Sequence, residues 1–75
     1  MPKSVSGVGQ VIALVPETQE IVVDHEEIKG FMDAMTMGYK VNPTSLLKTV
    51  KPGDTVRFTI DTDKRVITKL EKLRN

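Results

Sequence analysis

Val8-Gly9-Gln10-Val11-Ile12-Ala13-Leu14-Val15, then Pro16-Glu17-Thr18-Gln19, then Glu20-Ile21-Val22-Val23-Asp24 is the stretch that decides the fold. Both flanks are apolar and rich in β-branched residues, and the first alternates at its start. Such residues suit a pleated, half-buried surface. The proline-led segment between them is a turn signal, so the stretch reads as a β-hairpin. Gly7 and Gly9 predict a flexible or bulged start to its first strand.

Beyond the hairpin, Ile28–Asp33 is less regular and Gly30 predicts a bend. Ala34–Val41 (AMTMGYKV) reads as a third strand, whose period of two places Met35, Met37 and Tyr39 on one face and Ala34, Thr36 and Lys40 on the other. Asn42-Pro43-Thr44-Ser45-Leu46-Leu47 opens with a cap residue and a proline at the first helical position, which predicts one short helical turn. Lys51-Pro52-Gly53-Asp54 is a turn. Thr55–Ile60 (TVRFTI) alternates, with Val56, Phe58 and Ile60 inward. Asp61-Thr62-Asp63-Lys64 turns the chain again. Val66–Leu73 (VITKLEKL) fits strand or helix by pattern, and β-branched Val66, Ile67 and Thr68 favour strand at its start. The fold class that follows is all-β: a single domain over residues 1–75, built as a small five-stranded, closed or nearly closed β-barrel with one short helical turn. Closure leaves so short an all-β chain few exposed edges.

Seventy-five residues bury only about 60% of the surface of the unfolded chain, and small domains of this kind usually gain stability from disulfides or a metal. There is no cysteine, which excludes disulfides and Cys-based zinc and iron–sulfur sites. Eleven basic against ten acidic residues give no electrostatic claim on nucleic acid or anionic membrane. No apolar run reaches the length of a membrane span, and no direct membrane insertion is expected. Met1-Pro2-Lys3-Ser4 lacks the apolar core of a secretory signal, so a cytoplasmic protein, a trimmed chain and an excised domain are all compatible with the residues.

The chemistry concentrates in Asp24-His25-Glu26-Glu27-Ile28-Lys29-Gly30-Phe31-Met32-Asp33-Ala34-Met35-Thr36-Met37. It holds the single histidine and three of the four methionines, the fourth being Met1. A thioether is neutral and polarizable, and without cysteine such ligands select soft monovalent ions, Cu(I) and by the same logic Ag(I). Zinc, magnesium and calcium want thiolate, several imidazoles or several carboxylates. Met35 and Met37 share a strand face. His25 ends the preceding strand and reaches the same patch if the two strands pair. Met32 lies in the bend and can close over an ion. The competing reading is structural: methionines fill gaps in cores, and a pair two apart on a strand is most often core. The acidic neighbours Asp24, Glu26, Glu27 and Asp33 read as a solvated rim or as a steering surface for cations or a partner.

His25, Met35-Thr36-Met37 and the surrounding strand–turn pattern, including the Lys51-Pro52-Gly53-Asp54 turn, resemble the CusF family of small periplasmic copper- and silver-binding proteins. The resemblance runs from about Gly7 to Leu73. It implies an OB-type five-stranded barrel, with His25, Met35 and Met37 as ligands to Cu(I) or Ag(I). It also implies a periplasmic location and hand-off of the ion to the adaptor or pump subunits of a resistance-nodulation-division efflux system. Standalone chaperones and domains fused to the adaptors of such pumps are both known in the family. The founding members carry a tryptophan three residues before the first methionine, where this chain has Met32, and their spacing from histidine to that methionine is one residue longer. Phe is a weaker cation–π partner than Trp. Phe31 is therefore a poor substitute, and Met32 is expected to supply a third thioether, with a hydrophobic lid as the alternative. Proton competition then falls on His25, because thioethers carry no proton. No enzyme activity and a monomeric state are expected.

Other motifs fail. His25-Glu26-Glu27-Ile28-Lys29 has Lys29 where a zincin needs its second histidine. Gly7-Val8-Gly9 lacks the third glycine and following helix of a dinucleotide fingerprint. Asp61-Thr62-Asp63 has Val66 where a calcium loop needs glycine. An OB-type nucleic-acid-binding module is the reading from another class. Single-strand binders combine a basic groove with stacking aromatics, and this chain has only Phe31, Tyr39 and Phe58 and no basic excess.

Overall fold

The computed structural model describes residues 3–74; Met1, Pro2 and Asn75 lie outside it, and with them half of the Met1-Pro2-Lys3-Ser4 start. Five strands form the fold: β1 (Ser4–Val15), β2 (Glu20–His25), β3 (Met35–Val41), β4 (Thr55–Asp61) and β5 (Val66–Arg74). They close into a barrel in the order β1-β2-β3-β5-β4, with β4 returning to β1. All neighbours are antiparallel except β3 and β5, which run parallel. The alternating residues of β4 point inward as their pattern requires: Val56, Phe58 and Ile60 are fully buried with Ile21, Val23 and Ile67. Among the described residues no helix is long and apolar enough to cross a membrane.

β1 starts four residues before the apolar run that reveals it. Its first half, Ser4–Gln10, pairs with β4, and its second half, Gly9–Val15, pairs with β2. The register shift lies between Val11 and Ala13, not at the glycines. At Val11 the strand turns its backbone to the Lys51–Asp54 turn, whose Asp54 carbonyl accepts from Val11 and whose Gly53 N–H donates back. Gly7 and Gly9 sit in regular ladder positions and serve close approach instead. A Cβ on Gly7 would lie 2.7 Å from Phe58 Cζ and 2.9 Å from Ile28 Cδ1, and one on Gly9 would lie 2.5 Å from the Asp24 carbonyl oxygen and 2.8 Å from His25 Cα.

Two short 3-10 turns connect strands. Pro16–Thr18 closes the first hairpin, and Thr44–Thr49 links β3 to β4 where the helical turn is expected. Pro43 occupies the N-cap position in extended conformation and no side chain caps the turn, so Asn42 is not the cap. Its N–H instead bonds the Ile67 carbonyl of β5, which holds Asn42 to the sheet. Val66 onward is strand throughout, because it completes the ladder with β4.

Candidate metal centre

β2 delivers His25 and β3 delivers the two strand methionines. The pairing runs Glu20↔Lys40, Ile21↔Tyr39, Val22↔Gly38, Val23↔Met37, Asp24↔Thr36 and His25↔Met35. Residues directly opposite in an antiparallel pair share a face. His25 therefore faces the same side as Met35 opposite it and Met37 one pleat further on. Burial deepens along this face of β3: Met35 is 41% exposed, Met37 is half-buried and Tyr39 is buried. The site thus sits at one end of the barrel, with Met35 at the solvent edge.

Residues 26–34 bring the third methionine. Ile28 is buried and anchors the segment in the core beside Gly7. A tight turn follows in which Ile28 N–H donates to the Met32 carbonyl, and Phe31 and Met32 N–H donate to the Ile28 carbonyl. Gly30 takes the left-handed conformation at φ 77, which glycine adopts without steric cost. The expected bend is present, and it leaves Met32 half-buried against the core.

His25 is 2% exposed, and both ring nitrogens have partners. Nδ1 lies 2.9 Å from the Glu26 carbonyl oxygen and Nε2 lies 2.9 Å from the Tyr39 hydroxyl. A carbonyl oxygen only accepts, so Nδ1 carries the proton of the neutral ring. Nε2 then holds the lone pair, which is the tautomer a metal-ligating imidazole uses, its other N–H fixed on a carbonyl. The Tyr39 hydroxyl is also 2.8 Å from the Met32 sulfur. The ring is further held by Tyr39 and Phe58, at centroid separations of 5.9 and 5.8 Å. Burial pushes the Tyr39 hydroxyl above the ordinary tyrosine range, with Arg65 pulling partly the other way, so the hydroxyl keeps its proton at neutral pH.

The structure therefore gathers His25, Met35 and Met37 on one face and links Met32 to His25 through Tyr39. Phe31 is half-buried, and its ring is covered by the Arg65 guanidinium at 5.5 Å from the centroid. Asp24, Glu26, Glu27 and Asp33 are all exposed, as an acidic rim requires. An open cleft beside His25 is lined by Val8, Gly9, Gln10, Asp24, Glu26, Ala34 and Thr55. Among the described residues no three His, Asp or Glu side chains gather as a metal cage. What the arrangement offers an ion is one neutral imidazole nitrogen and neutral sulfurs, a donor set that fits a soft monovalent cation. The residue that sequence reasoning missed is Tyr39: its face was visible in the period of β3, but its hydroxyl bond to His25 was not.

A small closed barrel of OB type carrying one buried histidine beside a cluster of methionines defines the class. The family model for the copper-binding periplasmic protein CusF matches residues 4–73, and the chain belongs to that family. Its fold is similar to that of apo-CusF from Escherichia coli, with a TM-score of 0.82 at 22% identity over 99% of this chain and 92% of that one. It is equally similar to the silver form, Ag(I) CusF from Escherichia coli (TM-score 0.82, 22% identity, 97% and 95% coverage). The C-terminal domain of SilB from Cupriavidus metallidurans matches at 0.77 and 23% identity, over 95% and 89% of the two chains. Among curated proteins none matches the chain by sequence.

Proposed function

We propose that this chain binds Cu(I) or Ag(I) through His25 Nε2 and the sulfurs of Met35 and Met37, with Met32 as a third thioether, and passes the ion on without chemical change. The observation that carries this reading is the buried His25 ring. Its Nδ1 is committed to the Glu26 carbonyl, Met35 stands opposite in register and Met37 one pleat along. Membership of the CusF family and the likeness to a silver-bound relative support the choice of ion. The same family points to the periplasm and to delivery, as a monomer, to the adaptor or pump subunits of an efflux system. The match to a domain of SilB suits a module that works alone or as part of a longer chain. A binding and transfer protein needs no catalytic residue, and none is assigned.

The nucleic-acid alternative loses its support in the aromatics. Tyr39 and Phe58 are buried and the half-buried Phe31 carries Arg65 over its ring, so the barrel shows no row of open aromatic faces for successive bases among the described residues.

A silver titration followed by NMR tests the proposal, since Ag(I) is diamagnetic and keeps its oxidation state. The methyl groups of Met35 and Met37 and the His25 ring are expected to shift and saturate at one equivalent, together with Met32. Resonances that stay in place would return the methionines to a packing role.

A further inference from the structure

The Tyr39 hydroxyl stands between two of the proposed ligands, 2.9 Å from His25 Nε2 and 2.8 Å from Met32 Sδ. It is buried, so its proton must go to a protein acceptor. The Glu26 carbonyl already fixes the proton of the neutral imidazole on Nδ1. Nε2 is then an acceptor, and the single Tyr39 proton can be given to the nitrogen or to the sulfur, but not fully to both. A cation that binds Nε2 takes the lone pair this proton occupies.

We propose that Tyr39 is a positioning residue that caps the His25 lone pair in the metal-free protein and turns its proton to the Met32 sulfur when the ion takes the nitrogen. This inference rests on the metal-binding reading above. The cap holds the imidazole in the ligating tautomer and keeps a buried nitrogen satisfied in the metal-free protein. It also sets the affinity, because every binding event must first break the Tyr39–His25 hydrogen bond. No atom is lost or gained: one O–H exchanges an sp2 nitrogen acceptor for a thioether sulfur, a weak acceptor with two lone pairs, one to bind the ion and one to accept the proton. Breaking that bond costs the same whichever ion takes Nε2, so the cap lowers the affinity of every such ion by one common factor.

Tyr39→Phe removes the hydroxyl and keeps the ring that packs on His25 and Phe58. The variant is expected to bind Ag(I) more tightly, by up to about fivefold, the size of one net hydrogen bond, because the wild-type hydroxyl recovers part of that bond at the Met32 sulfur. In the metal-free proteins, the 15N shift of His25 Nε2 is expected to move toward that of a free lone pair in the variant, while Nδ1 stays protonated. Equal or weaker silver affinity in the variant, with wild-type binding intact, overturns the role of Tyr39 and leaves the metal reading standing. Silver binding by neither protein overturns both, and the metal-free 15N comparison then reports only whether the hydrogen bond exists. Should Tyr39→Phe not fold, the wild type decides alone. The Tyr39 13Cζ resonance moves with the His25 ring up to one equivalent of silver if the hydroxyl changes partner, and a stationary resonance overturns the proposal.

Discussion

Met32 carries the residue-scale question, because a half-buried methionine beside a core suits a lid as well as a ligand. Its sulfur is 2.8 Å from the Tyr39 hydroxyl, which in turn touches His25. A lid needs volume; a ligand needs sulfur. Met32→Leu keeps the volume and removes the sulfur, and volume-conserving swaps cost less than about 1.5 kcal/mol of stability. Silver affinity is therefore expected to fall by about tenfold or more, at least the loss seen when even an outer-shell partner of a metal site is removed. The melting temperature of the metal-free chain should change little. Isothermal titration in competition with a soft chelator measures the first quantity, and unchanged affinity would assign Met32 to the lid. His25, Met35 and Met37 were legible as candidates because chemistry and strand period are local properties of sequence. The Tyr39 hydroxyl was not. Its strand partner is Ile21, and its side chain reaches His25 by running along the barrel interior, a direction no spacing rule encodes.

At the scale of elements, Gly9 links the backbone to the site. It pairs with His25 across β1 and β2, and a side chain there would strike the Asp24 carbonyl oxygen and His25 Cα, which are backbone atoms and cannot turn aside. Gly9→Ala is expected to cost about 1–3 kcal/mol, the usual range for overpacking a close contact. It is also expected to push β1 away at the one place where His25 must be held. Urea unfolding reads the first effect and a silver titration the second; a variant with wild-type stability would show that β1 yields freely. The hairpin, the Lys51–Asp54 turn and β4 were all readable from alternation and turn residues, because each is specified within a few positions. Pro52 and Gly53, with φ 98 at Gly53, fit a type II turn closed by Asp54 N–H on the Lys51 carbonyl. The features that local sequence leaves open depend on partners far away in the chain. The start of β1 at Ser4 exists because β4 pairs with it, Gly7 and Gly9 answer to Phe58, Ile28 and β2, and Asn42 is held by β5.

The whole molecule is closed unevenly, and this shapes what an ion does to it. β3 is paired with β2 from Met35 to Lys40, opposite His25 to Glu20, but meets β5 only at Lys40↔Val66 and Val41↔Ile67. Among the described residues, Met35–Gly38 thus has a strand partner on one side alone. Beside it lies the 26–34 segment, held chiefly by buried Ile28 and its short turn. Such sparsely bonded segments open at low free energy and exchange amide protons first. In the proposed site, an ion bound by His25, Met32, Met35 and Met37 would fasten the end of β2, this segment and the start of β3 to one another. Ligand that binds only the folded state stabilises by mass action, about 2.7 kcal/mol at a free concentration of one hundred times Kd. For a domain of this size that is a rise of roughly 10–20 °C in Tm. The gain should be uneven in the same way as the closure. Hydrogen exchange with silver bound is expected to slow most at residues 31–38, beyond any common slowing from the global increase in stability. The β4–β5 ladder, which supplies none of the proposed ligands and is already paired along its length, should follow the global change alone. Protection that rises equally in every strand would mean that the barrel opens as one unit and that the seam beside β3 is no weaker than the rest.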